Sequence, residues 1–282
     1  MSAFLHAVAT MPFLQYALLT GVLASVACGV VGTYVVVRRI TYIAGGVSHC
    51  VLGGMGAAKY LNVVHGWTWL TPLHGAIVAA LLAAVIIGLV SLRAKQREDT
   101  VIGAIWAIGM AIGVLFISRT PGYNEDLMSY LFGNILFVRP ADLWLIAALD
   151  GLILVLGLAF YNQFLAVCFD EQFARLRGVP VEFFYLLLLC LTALTVVVLV
   201  TVVGIVLVIA LLTLPVALAG FFARSLWQMM ILATIASALL TTSGLALSYG
   251  PDLPAGATTI VLSAAAYLLL LLFAPRRRQR PA

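Results

Sequence analysis

The chain is 282 residues long, 64% hydrophobic and only 9% charged, with a formal net charge of +5. That composition lies far outside the range of soluble globular domains and indicates an integral membrane protein with no water-soluble domain left over. The cations cluster beside apolar runs, which is an orientation signal rather than a nucleic-acid-binding surface, and Cys28, Cys50, Cys168 and Cys190 lack the CxxC spacing of a structural zinc site or the pattern of a disulfide framework.

The apolar runs are continuous over about 18 to 25 residues, which predicts helices rather than the alternating strands of a barrel. Met1 to Gln15 has no Lys or Arg ahead of its apolar run, so it lacks the basic start of a secretory signal and the first run is expected to be retained. Charges, Pro and Gly divide the chain into runs at Phe13 to Val37, Ile43 to Tyr60, Pro72 to Leu92, Val101 to Ser118, Leu143 to Phe160, Phe183 to Val200, Gly204 to Phe222, Met229 to Ser248 and Ala255 to Phe273. The expectation is therefore an all-α polytopic membrane protein of about nine transmembrane helices. Eight is the alternative, because almost no loop separates the two runs that meet at Gly204.

The positive-inside rule favours the odd count. With Arg276, Arg277, Arg278 and Arg280 of the C-terminal tail in the cytoplasm, nine spans also place Arg38, Arg39, Arg93, Lys95, Arg97, Arg175, Arg177 and Arg224 there, and leave Lys59, Arg119 and Arg139 at the outer side. Two connections are long. Arg119 to Asp142 contains an apolar piece, Leu127 to Val138, too short to span and expected to be re-entrant or to lie at the outer interface. The other, about 162–182, is cytoplasmic in this topology and carries Asp170-Glu171-Gln172-Phe173-Ala174-Arg175-Leu176-Arg177-Gly178-Val179-Pro180. Two acids suit the positive end of a short helix dipole, arginines its last turn, Gly178 its cap and Pro180 its stop, so the segment predicts a short amphipathic helix: a docking element or an ordinary interfacial helix.

The second run carries the chemistry. Ile43 to Tyr60 makes roughly 27 Å of helix, barely a bilayer core. His49 shares a helical face with Gly46, Gly53 and Gly56, small residues that let a neighbouring helix or a substrate come close. An ionisable group at membrane depth points to a pathway. Neutral imidazole is a ligand for zinc or manganese, and a hydrogen bond across helices is the alternative use of the ring. Asp150 sits in the middle of another run, where it must face the pathway as a metal ligand, pair with a cation or be protonated. Cys50 points about 100° away from His49 around the helix, and His65 and His74 lie near an outer loop as solvated side chains or weak metal contacts. Gly53 to Lys59 lacks the Gly-Lys-Ser/Thr ending of a phosphate loop, so an ATPase, if one drives this protein, is another chain; no H-E-x-x-H helix or Ser/His/Asp set suggests an enzyme.

An ordered set of stretches then resembles one family. Arg38-Arg39-Ile40-Thr41-Tyr42 followed by Ser48-His49, Asp99 to Gly103, Ser129 to Leu136, Asp170 to Gly178, Val203 to Pro215 and Asp252 to Thr258 together look like the permease subunits of bacterial ABC importers for zinc and manganese. The resemblance covers nearly the whole chain and implies an ABC type II importer-like permease, one transmembrane domain over 1–282 with a disordered basic tail at about 275–282. It implies a second permease copy, two ATP-binding cassette subunits docking on Asp170, Glu171, Ala174, Arg175 and Gly178, and an extracytoplasmic metal-binding protein. Zn2+ or Mn2+, or iron, is then substrate, no cofactor is held permanently, and ATP is used only by the partner. His49 is the implied metal ligand; the family's carboxylate four residues earlier is Gly45 here, which leaves Asp150 as the candidate substitute. Gly204 and Pro215 fall in the matching Val203 to Pro215 stretch, where a broken segment is expected. A permease for a metal chelate and a secondary metal/proton carrier are the competing functions.

Overall fold

In a computed structural model, residues 2–93, 98–121, 140–251 and 253–273 are described, and among them the chain is helical without strands. Among the described residues twelve helices follow in chain order: α1 Ser2–Thr10, α2 Pro12–Val37, α3 Thr41–His65, α4 Pro72–Arg93, α5 Glu98–Arg119, α6 Pro140–Ala159, α7 Tyr161–Phe169, α8 Glu171–Leu176, α9 Val181–Val203, α10 Ile205–Gly220, α11 Leu226–Tyr249 and α12 Ala255–Phe273. The Ser129 to Leu136 stretch, the Leu127 to Val138 piece, Asp252 and the basic tail lie outside the described residues.

Each of the nine expected runs coincides with a helix, with Gly204, Phe221, Phe222 and Phe160 falling just outside theirs, but the count of nine spans is not confirmed. Among the described residues six helices are long and apolar enough to cross a membrane, or up to seven if each bent pair is one span. Three segments account for the difference. Helix α3 is 25 residues long, but its glycines, Ser48 and His49 dilute its hydropathy. Helix α10 has only 16 residues, about 24 Å of rise against a core of roughly 30 Å. Helix α6 is followed after one residue by α7, bent from it by 74°.

Local chemistry sets these boundaries. Pro12 starts α2, where its missing N–H costs nothing. Gly204 separates α9 from α10 at φ 89° and ψ 158°, a conformation open to glycine, while its N–H still donates to Val200 O (3.1 Å) and its carbonyl accepts from Val208 N (3.2 Å). The run expected as one broken helix or two is thus two helices joined without a loop. Pro215 lies inside α10, and several hydroxyls buried in the bundle donate to carbonyls of their own helices, as Ser25 does to Gly21 O (2.6 Å) and Ser48 to Ala44 O (2.6 Å).

Helices α2 and α9 form the buried centre, and α4, α5, α11 and α12 present large apolar side chains such as Leu82, Leu115, Leu239 and Leu272 outward, as lipid contact requires. Two layers meet there. Helix α3 packs on α4 and α5, while α2 packs on α6, α10 and α11. Helix α1 was not anticipated; it folds back with Phe4 edge-on to Tyr249 of α11, ring centroids 5.8 Å apart.

Candidate pathway site

Among the described residues the α3–α5 pair is the most extensive helix contact, and glycine makes it so. A Cβ on Gly53 would lie 2.6 Å from Gly109 O, one on Gly56 2.9 Å from Gly113 O, and one on Gly46 2.8 Å from Ile102 Cγ2. The two backbones therefore touch, as in close-packed membrane interfaces. Cys50 adds a polar tie, its Sγ donating to Ile105 O at 3.3 Å.

His49 stands inside this seam. Its side chain is buried, its Nδ1 has no hydrogen-bond partner, and its ring stacks on the indole of Trp106 in α5 with centroids 4.4 Å apart and planes 13° apart. The ring is thus not used in a cross-helix hydrogen bond through Nδ1. Gly45, one turn earlier, is buried too, and a Cβ there would meet Trp106 Cζ3 at 3.6 Å and Ile209 Cδ1 at 4.0 Å. Trp106 was not singled out from the sequence. The usable signal was the spacing of Ile102, Trp106, Gly109 and Gly113, which places them along one face of α5 opposite Gly46, His49, Gly53 and Gly56.

Asp150 is buried in α6, whose main partners are α2 and α9. Neither carboxylate oxygen makes a hydrogen bond of ordinary geometry. Among the described residues no three His, Cys, Asp or Glu side chains are grouped to hold a metal, so the single chain presents His49 without a ready ligand set. His74 Nδ1 lies 2.7 Å from Thr71 Oγ1 and His65 packs edge-on to Tyr60, both at the far end of α3 and the start of α4. Gly53 to Lys59 is helix interior, with no strand-to-loop turn for phosphate.

The 162–182 segment forms α7, α8 and the turn into α9. Asp170 caps α8, its Oδ1 accepting from Phe173 N at 2.9 Å. Ala174 is fully buried; Gly178, at φ 76°, donates to Arg175 O (3.0 Å) and Pro180 precedes α9. Phe169, Phe173 and Leu176 stay exposed beside Arg175 and Arg177. Glu171 is ion-paired with Arg38 at the end of α2, and the Arg38 guanidinium lies over the Tyr185 ring of α9 at 5.5 Å. The corner that follows turns through Arg39 at φ 62° straight into α3. The sequence reading took Arg38 as an orientation charge; its pairing depends on the fold bringing α8 to the end of α2.

Comparison with known proteins places this architecture. The description "ABC 3 transport family" matches residues 10–274. The chain is 42% identical over 251 residues, 89% of its length and 85% of the relative's, to a probable metal transport system membrane protein of Chlamydia trachomatis. It is 32% identical over 266 residues to the manganese import system permease protein ScaB of Streptococcus gordonii, covering 94% of this chain and 93% of that one. Among solved structures it is similar to PsaBC from Streptococcus pneumoniae in complex with Fab, with a TM-score of 0.85 and 32% identity over 99% of this chain and 98% of the other. A match over nearly the full length, in sequence and in fold, means that the chain belongs to the ABC 3 transport family.

Proposed function

We propose that this chain is the permease subunit of an ATP-driven importer that passes a divalent transition-metal ion across the cytoplasmic membrane, with manganese the first candidate and zinc and iron the others. The observation that carries the reading is His49, a buried imidazole whose Nδ1 lacks a partner, set in a glycine-lined helix seam within a membrane bundle. The relatives named for metal and manganese transport support the choice of cargo. A lone imidazole suits transient passage better than tight binding, and two permease copies facing one another would double the nitrogen donors. Asp150, on the α2 side of the bundle, is kept as a second candidate ligand.

The permease hydrolyses nothing itself. Two ATP-binding cassette subunits dock on the capped α8 segment, Asp170 to Gly178, and an extracytoplasmic binding protein delivers the ion. The exposed Phe173 and Leu176 beside Arg175 and Arg177 supply a docking surface, and the Arg38–Glu171 pair joins it to the corner from which the His49 helix starts. Reconstituted with these partners in vesicles, the His49→Ala protein is expected to lose Mn2+- and Zn2+-dependent uptake; uptake equal to wild type would overturn the assignment.

A further inference from the structure

The indole of Trp106 covers one whole face of the His49 imidazole, at 4.4 Å and 13° from parallel. The stack closes one face of the ring and leaves polar contacts to its edge, where the nitrogens lie and where the buried Nδ1 has no hydrogen-bond partner. The backbone beneath is fixed on both sides of the stack: Gly46 against Ile102 one turn before, Cys50 Sγ on Ile105 O beside it, and Gly53 against Gly109 one turn after. Trp106 is thus delivered to His49 by the glycine-lined contact of α3 with α5. It also lies against the space left by the missing side chain at Gly45, with Cζ3 3.6 Å from where a Cβ would stand. Yet Trp106 is 37% exposed, so it is not a buried core residue whose packing alone explains its place.

From this geometry we propose that Trp106 is a positioning residue for the transported ion, holding the His49 ring so that its nitrogen edge addresses the pathway and forming the aromatic wall of the site on the Gly45 side. The inference rests on His49 contacting the ion, as proposed above. Trp106 donates no ligand. It removes the rotational freedom of the ring, so the ion meets an already oriented nitrogen, which lowers the cost of each capture.

The test uses the permease assembled with its ATPase subunits and binding protein in vesicles, with Mn2+ and Zn2+ as probes. Trp106→Phe preserves an aromatic face and is expected to transport with near wild-type constants. Trp106→Ala is expected to raise the KM for Mn2+ uptake by about three- to tenfold, the range of one aromatic pair, with kcat little changed. A second reading does not depend on that variant assembling. Mn2+ is paramagnetic and quenches nearby indoles, so the wild-type complex should show an Mn2+-dependent loss of emission that Zn2+ does not produce and that Trp106→Phe lacks, the other four tryptophans being common to both. Equal quenching in the two proteins, or an unchanged KM in an assembled Trp106→Ala complex, would overturn the inference. If His49→Ala abolishes uptake in the same vesicles, only the role of Trp106 falls; if it does not, the pathway assignment itself fails.

Discussion

Gly53 and Gly103 show how differently two glycines must behave, one inside the α3–α5 seam and one on the exposed side of α5. A Cβ at Gly53 would stand 2.6 Å from Gly109 O, a backbone atom that cannot swing aside, whereas nothing lies within 4 Å of one at Gly103. Gly53→Val should therefore destabilise the protein by about 1 to 3 kcal/mol, as overpacking does, and lower its melting temperature in detergent. Gly103→Ala should be neutral or slightly stabilising, since alanine favours a helix by about 1 kcal/mol over glycine. The face formed by Gly46, His49, Gly53 and Gly56 was legible in the sequence because it follows helical spacing within one segment. Trp106 was not, because its stack on His49 exists only once α3 and α5 are paired, and the spacing inside α5 does not say which neighbour it meets. Asp150 was legible as an anomaly, but its side of the bundle, against α2 and α9, comes from tertiary packing.

At the scale of elements, the corner where the ends of α2, α8 and α9 meet behaves as one unit. Helix α8 has only six residues, too few to be stable alone, so the Asp170 cap, the buried Ala174 and the Arg38–Glu171 pair hold it in place. Arg38 also lies over Tyr185, so the same guanidinium touches the ends of α2, α8 and α9. In the importer proposed above, a push on α8 would pass through Arg38 to the Arg39 corner and the first turn of α3. Arg38→Glu is expected to cut metal uptake severalfold while ATP hydrolysis by the assembled complex continues, and the double variant Arg38→Glu/Glu171→Arg should regain part of the uptake. No recovery in the double variant would show that the pair does not transmit the motion. The helix, its acidic start and its glycine end were all readable from composition at its termini. Its tether was not, since Arg38 and Glu171 are far apart in the chain and meet only through the fold.

For the whole molecule, the periodicity and charge pattern were enough to find every long helix, because bilayer-length apolar runs are the strongest signal a membrane sequence carries. They were not enough to count crossings. A helix rich in glycine with a histidine, a 16-residue helix after Gly204 and a 74° bend after Ala159 each defeat a test of length and hydropathy. Helix α3 decides the matter, because its 25 residues rise about 37 Å, more than a hydrocarbon core of roughly 30 Å. The Arg38–Glu171 pair places α8 at the start of α3, and the Gly66 cap and the turn carrying Trp69 lie at its other end. If α3 crosses the bilayer, the exposed positions Leu176 and Trp69 lie on opposite sides. Leu176→Cys and Trp69→Cys proteins in oriented vesicles should then react with a membrane-impermeant maleimide from the cytoplasmic and the outer side respectively. Background from the native thiols is expected to be low, since Cys28, Cys50 and Cys168 are buried and Cys190 is half-buried. Labelling of both positions from one side would make α3 re-entrant, shift the topology of every later helix by one crossing, and remove His49 from a continuous path between the two faces.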